Sequence, residues 1–152
     1  MKTNYKLDKS FGPVGTSAGI FLFVAGLIIT YFSHSGLILV LIGAFVGFTS
    51  TSTLIDFANK RLKFSNNLFG IIPTGQWTYI NPDMKIGIKK SNKVWRAYSK
   101  SNRTLDISNT DFRLILYDSN GKEIMPIKKT DNLDSAKSDL DKISKQLGIS
   151  VI

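Results

Sequence analysis

The chain is 152 residues long, carries a formal net charge of +9, and contains no cysteine and one histidine. Those counts exclude disulfides, thiolate nucleophiles and cysteine-bound metals, and they remove the usual histidine-based transition-metal sites. The length holds one modest domain, which is too small to hide the stretch between Lys9 and Asp56, where no Asp, Glu, Lys or Arg occurs.

Residues 1–12 read as a short polar segment bearing Lys2, Lys6 and Lys9. Residues 13–56 read as a transmembrane helical hairpin. A helix rises about 1.5 Å per residue, so roughly 20 apolar residues cross the hydrocarbon of a bilayer. The uncharged stretch holds two such lengths. The first helix is expected over 14–32, with Pro13 in its first turn, where a missing N–H does no harm. Ser33, His34, Ser35 and Gly36 form the turn, and the second helix is expected over 37–54, its continuation as far as Arg61 left open. A cleaved signal peptide fits poorly, because the apolar run is too long and a second one follows almost at once. Lysines precede the first span, Lys60, Arg61 and Lys63 follow the second, and the turn has no fixed charge. The positive-inside rule then places both termini in the cytoplasm.

Gly15, Gly19 and Gly26 fall on one face of the first helix, and Gly43, Gly47 and Ser50 on one face of the second. In lipid, small residues permit the close backbone approach that dispersion requires. These faces are expected to pack the hairpin on itself, or against a second copy or another protein's helix. The hydroxyl run Thr49-Ser50-Thr51-Ser52-Thr53 is expected at the inner end of the second helix, bonding back to helix carbonyls. The absence of charge within either span argues against an ion or proton carrier.

Residues 57–152 read as a cytoplasmic domain of short strands, expected over 62–68, 69–77, 84–88, 94–99, 104–108, 112–117 and 123–127. Pro73 and Gly75 interrupt the second. Asn81-Pro82-Asp83, Ser91-Asn92, Ser101-Asn102 and Ser119-Asn120-Gly121 are turn signals between them. Leu133, Ala136, Leu140, Ile143 and Leu147 recur at helical spacing, with Asp131 or Asn132 as cap and Gly148 at the C-terminal end. The fold class expected is a membrane α-helical hairpin plus an α+β soluble domain, a small antiparallel barrel or sandwich of about seven strands capped by a helix.

Seven short strands followed by one amphipathic helix is the order of a pleckstrin-homology-like (PH-like) domain. With the hairpin, the segment Phe69-Gly70-Ile71-Ile72-Pro73-Thr74-Gly75-Gln76-Trp77 and the closing helix, essentially the whole chain resembles bacterial two-transmembrane-helix proteins with a C-terminal PH-like domain. The resemblance implies an inner-membrane location and a binding fold. The eukaryotic phosphoinositide site, a basic loop between the first two strands, has no counterpart, because Ser65-Asn66-Asn67 is short and uncharged.

From Phe57 to Arg103 there are ten basic residues and one acid, whereas from Thr104 onward there are seven basic residues and eight acids. Lys60, Arg61, Lys63, Lys89, Lys90 and Lys93 are therefore candidate contacts to anionic headgroups. The alternative is that they are ordinary solvated strand faces and edge protection. Trp77, Tyr79, Trp95 and Tyr98 interleave with Lys89, Lys90, Lys93, Arg96 and Lys100 like a base-stacking platform, but a membrane anchor makes a nucleic-acid partner unexpected. His34 lies in the outer turn, apart from every carboxylate of the domain, and Gly12-Pro13-Val14-Gly15 lacks the Lys and Ser/Thr of a phosphate loop. Asp131, Asp134, Asp139 and Asp141 read as cap and surface residues of the last helix. No catalytic residue, cofactor or metal is expected. The expected function is that of a noncatalytic membrane-anchored adaptor or accessory subunit, partnered by a membrane protein or a second copy. The alternative is a peripheral module that senses anionic lipid with its basic face.

Overall fold

A computed structural model describes residues 1–98 and 104–152. Among them the chain runs β1 (Lys2–Lys9), α1 (Gly12–Phe32), α2 (Gly36–Phe48), β2 (Ser50–Asp56), β3 (Arg61–Leu68), β4 (Ile72–Thr74), β5 (Trp77–Tyr79), β6 (Lys85–Tyr98), β7 (Thr104–Tyr117), β8 (Glu123–Thr130), α3 (Leu133–Leu147) and β9 (Ser150–Val151). This is an α+β chain with two sheets, one ordered β1-β2-β3-β4 with β5 also on β3, the other ordered β8-β7-β6-β9. Neither closes into a barrel.

Several elements differ from the sequence reading. Residues 2–9 form a strand, with Lys2, Asn4 and Lys6 exposed and Thr3, Tyr5 and Leu7 half-buried. That alternation is the strand period of two, which the lysines obscured. The second helix stops at Phe48, 13 residues long, because the hydroxyl run enters β2 instead of continuing the helix. Alternating threonines, branched at Cβ, suit a strand better than a helix. Ser50 therefore lies on β2 and on no helix face. The expected strand over 69–77 is split into β4 and β5, and Ser91-Asn92 is no turn but the middle of β6. Ser101-Asn102 and the end of the expected strand at Ser99 lie outside the described residues.

The chain divides into two compact units, one comprising Met1–Leu7, Ser52–Phe64 and Gly75–Ile152, the other Asp8–Thr51 and Ser65–Thr74. β1 pairs with β2, so residues on both sides of the helices contribute to one sheet.

The first unit is built on a core of Ile55, Leu62, Ile86, Leu114, Leu116 and Ile127 from its strands and Ala136, Leu140, Ile143 and Leu147 from α3. The last four are the stripe expected from helical spacing. Asn132 caps α3, its side chain accepting from the Asp134 N–H, and Gly148 ends it at φ 71°. The Gly148 and Ile149 N–H groups both donate to the Ser144 carbonyl, the glycine stop that satisfies the last carbonyls. β6 and β7 form one antiparallel ribbon in continuous register from Lys85↔Tyr117 to Tyr98↔Thr104.

The second unit is the pair α1–α2 with the β3–β4 hairpin and the adjoining ends of β1 and β2. Only two residues separate β1 from α1, and one separates α2 from β2.

Candidate functional site

In α1–α2 the expected polarity of a water-soluble helix is inverted. The buried residues of α1 are Gly12, Gly19 and Gly26, and those of α2 are Gly36, Gly43 and Gly47. The large apolar side chains face outward, with Phe21, Ile28, Ile38 and Leu41 all between 61% and 73% exposed. A Cβ added at Gly19 would come within 2.4 Å of the Gly47 nitrogen, one at Gly43 within 2.3 Å of the Phe23 nitrogen, and one at Gly26 within 2.6 Å of the Val40 nitrogen. The helices therefore run antiparallel in backbone-to-backbone contact, and only glycine fits those positions. Of the small residues singled out in the sequence, Gly19, Gly26, Gly43 and Gly47 line this seam. Gly15 faces the Phe11 side chain instead.

The base of the pair is aromatic. The Phe45 ring meets Phe11 on one side and Phe69 on the other, each at 5.6 Å between centroids and edge-on, and Phe23 meets Phe48 at 5.3 Å. Hydroxyls tie the neighbouring chain. The Phe69 N–H donates to Thr49 Oγ1 at 3.3 Å, and the Asp8 N–H to Thr51 Oγ1 at 3.2 Å. In the first unit the Thr53 hydroxyl donates to the Pro126 carbonyl at 2.7 Å. The hydroxyl run thus serves strand and loop backbone rather than helix carbonyls.

The basic residues are divided between the two sheets. Lys60, at φ 45°, stands in the turn before β3, which carries Arg61 and Lys63, whereas Lys89, Lys90 and Lys93 lie on β6 of the other sheet. Arg61 is committed to Asp56 at 3.1 Å and lies 4.4 Å over the Trp77 ring. The Asn59 amide hydrogen bond, opposed by burial and assisted by Arg61, holds the Asp56 carboxyl below the usual carboxylate range. Lys89 bonds Glu123, which raises the lysine above its ordinary value. Both line an open depression of about 380 Å³ with Lys90, Asn92 and Arg113.

The β6–β7 ribbon outruns its sheet. β8 pairs with β7 only from Phe112 to Tyr117, and β9 with β6 only at Lys85 and Ile86. Beyond Lys90 and Phe112, the two strands stay in register with each other as far as Tyr98↔Thr104. At the base sits a buried ion cluster that the sequence reading missed. Arg113 donates to Asp111 through Nε at 2.6 Å and Nη2 at 2.9 Å, and Lys129 Nζ approaches the same carboxylate at 3.2 Å. The signal was the two-residue spacing of Asp111 and Arg113, which puts both on one strand face.

Comparison with protein-family models, with curated proteins and with solved structures finds no match to this chain.

Proposed function

We propose that the chain is an integral protein of a bacterial inner membrane, in which α1 and α2 span the bilayer as a hairpin. The remaining chain then serves as a PH-like interaction domain at the cytoplasmic surface, acting as a noncatalytic adaptor or accessory subunit. The observation that carries the anchor is the inverted polarity of the helix pair, glycine inside and large apolar side chains outside. In water such a surface would expose far more contiguous apolar area than a soluble monomer tolerates. In lipid it is the expected arrangement.

α1, at 21 residues, rises about 31 Å and reaches across a hydrocarbon core. α2 rises only about 20 Å. A short span is accommodated by local thinning at a modest cost per ångström. The PH-like reading draws support from two sheets whose residues share one core with a closing C-terminal helix. On that reading the connection between the first two strands, where the eukaryotic headgroup site lies, is occupied here by the helix pair itself.

The adaptor role draws on the β6–β7 ribbon, whose strands run on past the residues that β8 and β9 pair with, extended backbone of a kind that suits strand addition by a partner. The lipid-sensing alternative loses weight because Arg61 and Lys89 are already paired with Asp56 and Glu123. The test is purification of the tagged protein from native membranes in mild detergent, followed by mass spectrometry. One dominant stoichiometric membrane partner is expected. A protein that repeatedly emerges alone contradicts the adaptor reading.

A further inference from the structure

We infer that the tip of the β3–β4 hairpin, Phe69 to Ile72, inserts beside the helix pair as an apolar wedge in contact with lipid acyl chains. The inference rests on reading α1–α2 as a membrane anchor. Four observations carry it.

The turn is the wrong chemistry for water. Exposed hairpin turns are built from Asn, Asp and Gly, which tolerate the left-handed region, yet here Phe69 and Gly70 occupy it at φ 56° and 74°. A bulky side chain at such a φ is strained and persists only where its surroundings fix it. Phe69 is fixed by its ring contact with Phe45 and by the bond from its N–H to Thr49.

Those contacts also set the level of the tip. Phe45 belongs to the last turn of α2, and Phe11 immediately precedes α1, so Phe69 lies level with the ends of both helices. Gly70 packs on the Phe48 carbonyl, where a Cβ would come within 3.2 Å. The tip is thus in direct contact with the apolar C-terminal end of α2.

The tip then presents what acyl chains accept. Ile71 is 79% exposed and Ile72 50% exposed. The sequence around them is free of charge from Phe64 to Pro82, although the chain as a whole carries +9. Asn66 and Thr74, which pair across the hairpin below the tip, supply uncharged hydrogen-bonding groups suited to the headgroup level. An amphipathic element of this kind buries its apolar face about 5–10 Å into the headgroup–acyl boundary.

The absence of cysteine makes the test direct. Single variants Ile71→Cys, Ile72→Cys, Leu41→Cys and Asn120→Cys of the full chain are labelled with an environment-sensitive fluorophore. Each is reconstituted in liposomes of phosphatidylethanolamine and phosphatidylglycerol carrying nitroxide-labelled lipid. Labels at residues 71 and 72 should lose emission to shallow nitroxides and resist aqueous iodide, as the Leu41 label does with deep nitroxides. The Asn120 label should behave oppositely. Iodide quenching at 71 and 72 with lipid quenching retained at 41 overturns the wedge and leaves the anchor standing. Iodide quenching at all four sites removes the anchor reading itself. Labels at 71 and 72 shielded from both quenchers overturn the wedge in favour of a second copy covering the tip.

Discussion

Asp111 is 1% exposed and shared by Arg113 and Lys129 at the root of the ribbon. Burial alone would raise its carboxyl, but the Arg113 hydrogen bonds and charge, with those of Lys129, hold it below the ordinary carboxylate range. Removing one member of a buried ion cluster strands the others, at a cost of about 3–5 kcal/mol. Asp111→Ala should show that loss in urea unfolding followed by tryptophan fluorescence. The pH dependence has a definite sign. A depressed carboxyl stabilises the fold above its unfolded pKa, about 3.9, and that contribution disappears as pH falls through the folded value. Wild-type stability should therefore drop on acidification below about pH 4, and Asp111→Asn should drop less. Parallel declines would contradict the assignment. Left-handed residues give a second contrast. Lys60, in a turn at φ 45°, is exposed, so Lys60→Gly should be neutral or stabilising by up to about 1 kcal/mol. Phe69→Gly removes a ring contact along with the strain and should destabilise. At this scale the sequence named residue types well and their partners poorly. Lys89 and Arg61 were legible as cations, but the carboxylates they meet come from Glu123, 34 positions along the chain, and from the far side of a turn.

Elements were most legible where the pattern was long and local. The stripe of α3, its Asn132 cap and its Gly148 stop all follow from spacing and end chemistry. The seam glycines of α1–α2 were legible too, because glycine at helical intervals in an apolar run has few other uses. That seam makes a sharp prediction. Gly43→Ala puts a methyl 2.3 Å from the Phe23 nitrogen, and overpacking against backbone costs about 1–3 kcal/mol or more. It should lower the thermal midpoint in detergent, whereas Ala18→Leu, on the exposed face of α1, should leave it nearly unchanged. Equal effects would show that the seam is not where the model of tight contact puts it. Strand boundaries were least legible. Ser91-Asn92 and the 104–108 and 112–117 runs looked like separate pieces, but cross-strand pairing such as Asn92↔Thr110 carries polar residues through the middle of a ribbon. Pairing between distant residues overrode the local turn signal.

For the molecule as a whole, β1 was the feature that local reading hid. Three lysines made residues 1–12 look like a charged flank, while the alternation of Thr3, Tyr5 and Leu7 already marked a strand. Because β1 and β2 are neighbours in one sheet, the helix pair stands in the chain between two strands of that sheet. The ribbon offers a test of the adaptor role at this scale. Replacing residues 93–109 by a two-residue Asn-Gly turn joins positions already paired, Asn92 and Thr110. Among the described residues the core cluster lies outside 93–109, so the variant should keep its urea midpoint and lose the co-purifying partner. Retention of the partner would place the interaction off the ribbon. The central claim, that the helix pair crosses a membrane, is tested most directly by cysteine accessibility in intact cells. Ser35→Cys, in the turn at the end of α1, should react with a membrane-impermeant maleimide added outside. Asn120→Cys, at the β7–β8 turn, should react only after the membrane is opened. Reaction of both from the same side would contradict the account.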